Sequence, residues 1–263
     1  MVVKSGNWIA AVRATESARP DALFVDEFAH ALAGELGYTT MALSEGAAGG
    51  ENRMIPVRVR WFDDAIRAAV GGSARQVVLL GAGLDTRPYR LELPSEVDWY
   101  DVDTAEVLAD KASRLDAARP RCRYHAVAAD LTADWLTPLA SAGFASGRPT
   151  LWVAEGLFFY LTEPSILDLL QRTVGPGGRF LADVIGTAGL DGPALRPYRD
   201  YCARTGTPPP FGHDDPVALF AAGGWRVDSV RVPGAPDANF GRFPERATGL
   251  HPGSVHFVCA TAP

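Results

Sequence analysis

A chain of 263 residues, 47% of them hydrophobic, can bury a full core as one large domain or two small ones. A formal charge of −6, with arginines scattered singly, argues against a surface that tracks nucleic-acid phosphates. No run of about 18 apolar residues occurs and the first 20 residues lack a signal-peptide core, so a cytoplasmic protein without a membrane partner is expected.

The first 75 residues carry only helical patterns. RPDALFVDEFAHALAGELG places Val25, Phe28, Ala29, Leu32 and Leu36 on one stripe and predicts a helix that stops at Gly37. SEGAAGGEN reads as a mobile loop. MIPVRVRWFDDAIRAAVGG predicts a second helix with Val59, Phe62, Ile66 and Ala69 on one face.

From residue 76 strands and helices alternate. QVVLLG, VDWYDVD, RYHAVAAD, TLWVAEG and RFLADVI read as five strands. Between them lie the helix TAEVLADKASRLDAA, which Thr104 can cap, and EPSILDLLQRTV, opened by Thr162 and Pro164. Such alternation predicts crossover units and a parallel sheet covered on both faces. Residues 186–213 show no periodicity, and Asp215-Pro216 starts a short helix ending at Gly223-Gly224. WRVDSVRV and SVHFVCATA are then two strands with no helix between them, hence antiparallel neighbours. The expectation is a single Rossmann-like α/β domain of about seven strands, mostly parallel. Residues 1–75 would form a helical lid, 76–185 the cofactor-binding core, and 186–263 a substrate-side segment with the last strands.

In an open parallel sheet, ligands sit beyond the carboxyl ends of the strands. Those ends are Gly81-Ala82-Gly83 with Asp85, then Asp101 and Asp103, then Asp130-Leu131, then Glu155-Gly156. Each of the four carries a carboxylate. A pyrophosphate on a helix N-terminus would be repelled by such a ring, and the third glycine of GxGxxG is Thr86 here. S-adenosylmethionine, with ribose hydroxyls, an amine, a sulfonium and no phosphate, suits the acids. Taken singly, each has a structural reading too: Asp130 can cap a turn, and Glu155 can pair with an arginine to hold the sheet.

GAGLDTRPYRL, DVDTAEVLADKASRL, AADL and AEGLFFYL together resemble the leucine carboxyl methyltransferase family, a branch of the class I S-adenosylmethionine-dependent methyltransferases. RATESARPDALFVDEFAHAL and IPVRVRWFDDA extend the likeness upstream, and GAPDANFGRFP resembles bacterial members acting on polyketides and related natural products. The resemblance implies that Arg58 binds the cofactor's carboxylate and that Gly81, Ala82 and Gly83 form the glycine turn. It implies that Asp103 meets the ribose, Asp130 and Leu131 flank the adenine, and Glu155-Gly156 lie near the methionine amino group. Family members usually have Glu where this chain has Asp101, which weakens any ribose contact from that position. Asp85 either caps the short helix after the turn, or acts near the methionine end by orienting Arg58 or meeting the cofactor's ammonium. Arg87 and Arg90 receive no role.

The implied reaction is methyl transfer to a small-molecule acceptor, most simply a carboxylate, ionised at neutral pH and needing no base; a phenol, with a pKa of about 10, would need one. Candidates for gripping the acceptor are Arg60, Tyr160, Tyr198, Arg199, His213, Asn239 and Arg242. Competing readings are a phenol or hydroxyl methyltransferase, an NAD(P)-dependent oxidoreductase, and a family member that binds cofactor without catalysis. Cys122, Cys202 and Cys259 form no metal-binding cluster, so no metal is expected. The oligomeric state is left open.

Overall fold

The computed structural model describes residues 2–115, 117–243 and 255–263. Asp116, Pro244 and Ser254, which fall in stretches quoted above, lie outside the described residues. Three helices come first: α1 (Val2–Ser17), α2 (Ala29–Ala48) and α3 (Met54–Gly71). The predicted face of α3 is buried at Val59, Phe62, Ile66 and Ala69.

The reading of α2 is corrected. The helix does not stop at Gly37; it is kinked at Gly34 (φ 56°, ψ −178°) and runs on through SEGAA to a left-handed cap at Gly49. Gly37 is instead the point where α1 approaches α2, since a Cβ there would lie 2.3 Å from the Asn7 carbonyl oxygen. Val25 and Leu36, expected on the buried stripe, are 65% and 48% exposed: Val25 precedes the helix, which starts at Ala29, and the Gly34 kink breaks the periodicity that joined Leu36 to Leu32.

Seven strands follow: β1 (Gln76–Leu80), β2 (Asp98–Asp103), β3 (Arg123–Ala128), β4 (Thr150–Ala154), β5 (Arg179–Ile185), β6 (Arg226–Arg231) and β7 (Val255–Thr261). Their order is β3-β2-β1-β4-β5-β7-β6, with β7 antiparallel to both its neighbours and β1 to β5 parallel. β1 and β4 are buried at every residue, as continuous apolar runs in a doubly covered sheet should be. One face packs on a core that includes Trp135, Phe158 and Phe220, the other on one that includes Phe62, Trp99 and Phe257.

The intervening helices are α4 (Arg87–Arg90), α5 (Ala105–Arg114), α6 (Leu136–Ser141), α7 (Glu163–Thr173), α8 (Thr187–Leu190), α9 (Arg196–Thr205) and α10 (Pro216–Ala222). Thr162 and Asp215 cap α7 and α10 through their side chains as their positions suggest. Thr104 stands before α5 but makes no side-chain cap, and its main-chain N–H donates to the Asp103 carboxylate at 2.7 Å.

Candidate active site

β1 lies between β2 and β4, so the crevice where strand order reverses opens at the carboxyl ends of β1 and β4. The turn after β1 places Gly81 and Gly83 at φ 65° and 51°, a region that costs a side-chain-bearing residue energy. Gly83 donates its N–H to Asp103 Oδ2 at 2.7 Å, which ties the turn to the end of β2. After β4, Gly156 (φ 65°) would place a Cβ 3.2 Å from Arg58 Nη1, so the guanidinium packs against bare backbone.

Beneath these turns runs a chain of buried charge. Arg13 pairs with Asp26 at 3.3 Å, and Asp26 lies 3.8 Å from Arg90. Arg90 clasps both oxygens of Asp63 at 2.6 and 2.7 Å. Arg87 joins Asp63 (2.7 Å), Asp85 (2.5 Å) and Glu155 (2.7 Å). Arg58 then bridges Glu155 and Asp183, each at 3.0 Å. Arg87, unassigned in the sequence, is thus the brace between the strand-end acids Asp85 and Glu155, and Arg90, also unassigned, ties Asp63 to Asp26 beneath it. Asp85 answers to Arg87, both by this pair and by accepting its main-chain N–H at 2.8 Å, rather than to Arg58.

The buried acids differ in balance. Burial opposes ionisation of Asp63 and Asp85, but Arg90 and Arg87 for the first, and Arg87 for the second, outweigh it and lower both pKa values. At Asp183 burial outweighs Arg58 and its pKa is raised. The sequence reading missed Asp183, Asp63, Asp26 and Arg13. Asp183 had one visible signal: it is the only charged residue inside the apolar run FLADVI, and a buried carboxylate demands a counter-charge.

The acids toward β3 have no arginine. Asp103 is buried and held by the N–H groups of Gly83 and Thr104, and burial raises its pKa. Asp130 is exposed and accepts from the main chain and hydroxyl of Thr132 at 2.8 and 2.7 Å, the turn-cap geometry anticipated for it. Leu131 packs on the core beneath and Ala82 is buried in the glycine turn. Asp101 turns away from the crevice to Lys111 (2.5 Å), Tyr124 (2.7 Å) and Trp99 (2.9 Å).

The acceptor-side candidates fall into two groups. Phe159, Tyr160 and Tyr198 form an aromatic cluster with centroid separations of 5.0 to 5.8 Å. Tyr160 also acts electrostatically on Arg58. Phe211 bonds to the Phe159 carbonyl and stacks on His213, whose own N–H reaches the end of β5 at Ile185. Tyr160, Tyr198 and His213 therefore share one wall. The others brace loops: Arg60 holds Asp64 and the Leu23 carbonyl, and Arg242 holds Glu16 (2.5 Å) and Asp21 (2.6 Å). Arg199 donates to the carbonyls of Leu190, Asp191 and Gly192, and Asn239 closes a turn with Phe243. A cavity of about 370 Å³ opens at the opposite, amino-terminal ends of β4 and β5 and is lined by none of these residues.

The site suits a cation. Its linked groups number four arginines against five acids, and Arg58 Nε and Glu155 Oε2 are buried without a hydrogen bond. S-adenosylmethionine carries one net positive charge and a zwitterionic amino-acid end that offers an acceptor for the first atom and a donor for the second. No group of His, Cys, Asp and Glu able to hold a metal is found among the described residues.

The model of the leucine carboxyl methyltransferase family matches residues 7–174, which span the glycine turn, Asp103, Asp130 and Glu155. The chain belongs to that family. It is an S-adenosylmethionine-dependent methyltransferase, as its relatives are named. One from Streptomyces avermitilis is 36% identical over 247 residues, covering 87% of this chain and 86% of its own. One from Mycobacterium avium is 36% identical over 259 residues, 90% and 84% of the two chains. One from a Parafrankia strain is 42% identical over 191 residues, 67% of this chain and 61% of its own length. Among solved structures, a DUF574 family protein from Streptomyces avermitilis superposes with a TM-score of 0.60 over 97% of each chain at 17% identity, and a structure from Thermobifida fusca described as a methyltransferase with a TM-score of 0.59 over 87% of this chain and 88% of that one at 14% identity; together they show the class I methyltransferase fold. No described helix of the methyltransferase is long and apolar enough to cross a membrane.

Proposed function

We propose that the methyltransferase esterifies a carboxylate of a small aromatic or polyketide-type acid. One observation carries this reading. His213 Nδ1 accepts the main-chain N–H of Asp215 at 3.1 Å, so the neutral ring presents Nε2–H to its surroundings. That tautomer is a donor suited to holding a carboxylate and unfit to remove a phenol proton. A carboxylate is already ionised near neutrality and needs no base.

The bound cofactor supplies an electrophilic methyl group on a sulfonium. Arg58 and Glu155 hold its amino-acid end, Asp103 its ribose hydroxyls, and Asp130 and Leu131 flank its adenine. Phe159, Tyr160, Tyr198 and His213 orient the acceptor oxygen for in-line attack, with α1 to α3 and residues 186–213 as the cover that excludes water. Alignment of this kind lowers a barrier by about 7–11 kcal/mol.

Incubation with methyl-labelled S-adenosylmethionine and a panel of aromatic acids and phenols tests the acceptor class. Label released by mild base marks an ester and is the expected result. Base-stable products alone would replace the carboxylate with a phenol or hydroxyl.

A further inference from the structure

We infer that Asp183 is a positioning residue for the amino-acid end of the cofactor, setting Arg58 and the Glu155–Gly156 turn from the end of β5. The inference rests on S-adenosylmethionine as cofactor and is independent of the acceptor. Asp183 Oδ2 receives a hydrogen bond from Arg58 Nη1 at 3.0 Å, and Oδ1 receives the Gly156 N–H at 2.5 Å. One carboxylate thus fixes both the cation expected to meet the cofactor's carboxylate and the turn that carries Glu155.

Glu155 cannot do this itself. Its Oε1 lies 3.0 Å from Arg58 Nε, yet that nitrogen makes no hydrogen bond. Its Oε2 lies 2.7 Å from Arg87 Nη2 and is likewise without one. Arg58 and Glu155 are therefore close but misaligned, each with an unmade bond in a buried setting where such a deficit is costly. An α-amino acid brings one acceptor for the guanidinium and one donor for the carboxylate, so its binding can separate the two and complete both. Asp183 keeps its two bonds throughout and supplies the fixed point about which Arg58 turns. β5 is a rigid place for that anchor, being flanked by β4 and β7.

Titration calorimetry with S-adenosylhomocysteine and 5′-methylthioadenosine tests the inference, because the second compound keeps the nucleoside and lacks the amino-acid end. Asp183→Asn should weaken S-adenosylhomocysteine by about tenfold or more and leave methylthioadenosine within about twofold. Asp183→Glu retains the charge but shifts it by one methylene; should the Asn variant fail to fold, its ratio of the two affinities must fall in the same direction. Equal loss for both ligands would reduce Asp183 to a core ion pair, and unchanged S-adenosylhomocysteine affinity in a folded variant would overturn the inference outright.

Discussion

The strand-end acids divide into two regions. At the centre of the sheet, Asp85, Glu155 and Asp183 each touch an arginine. Toward the β3 edge, Asp103 and Asp130 are held by neutral donors alone. The same residue type thus meets two chemistries along one crevice. Charged braces suit the end of the ligand that carries charge, where the position of each formal charge decides affinity. Neutral donors suffice where the ligand offers hydroxyls and an amine, which a carboxylate accepts without a counter-ion.

Removing a central brace should have the largest effect. Arg87→Ala leaves buried Asp85 without its paired arginine and takes one of two arginines from each of Asp63 and Glu155, and the loss of one partner from such a cluster costs about 3–5 kcal/mol. A large drop in Tm on thermal unfolding is expected; an unchanged Tm would mean that the chain of pairs does not brace the centre.

Arg58→Ala comes next and should act on the ligand more than on the fold. Loss of a charge-assisted contact of about 1.5–3 kcal/mol corresponds to roughly ten- to a hundredfold in S-adenosylhomocysteine affinity. Comparable affinity in the variant would move the carboxylate subsite elsewhere.

The acids whose pKa burial raises, Asp103 and Asp183, answer first to falling pH. Burial raises the pKa of Asp103, so its carboxylate is lost as pH falls toward 3.8 from above. Asp63 and Asp85 have lowered values, so the stability they contribute is fully present above 3.8 and lost only as pH falls below it. Cofactor affinity should therefore decline on acidification before the protein unfolds. Affinity that stays flat until the unfolding transition would remove Asp103 from the ribose subsite.

The smallest effect is expected at the rim. Asp130→Ala breaks exposed bonds to Thr132, and a loss of about two- to threefold in affinity with little change in Tm is the outcome that fits an adenine-flanking turn. A tenfold loss would place Asp130 among the main determinants and dissolve the contrast between centre and edge.

Much of this architecture is written in local pattern. The five strand patterns alternating with helices, their glycine punctuation and the lack of a helix before the last strand suffice to set a mostly parallel sheet with an antiparallel finish. The acids at the strand ends are visible for the same reason: strand direction places them on one edge. The course of α2 is not visible, because Gly37 reads as a stop until α1 lies against it, and the true kink at Gly34 has no separate mark. Nor are the partners of Asp183, since the arginine it meets is 125 residues away. The sequence by itself determined the fold and the family, since these follow from periodicity and short motifs. Only the tertiary structure decided what each carboxylate does, because a buried charge takes its role from the counter-charge packed against it, and that pairing is set by long-range contacts.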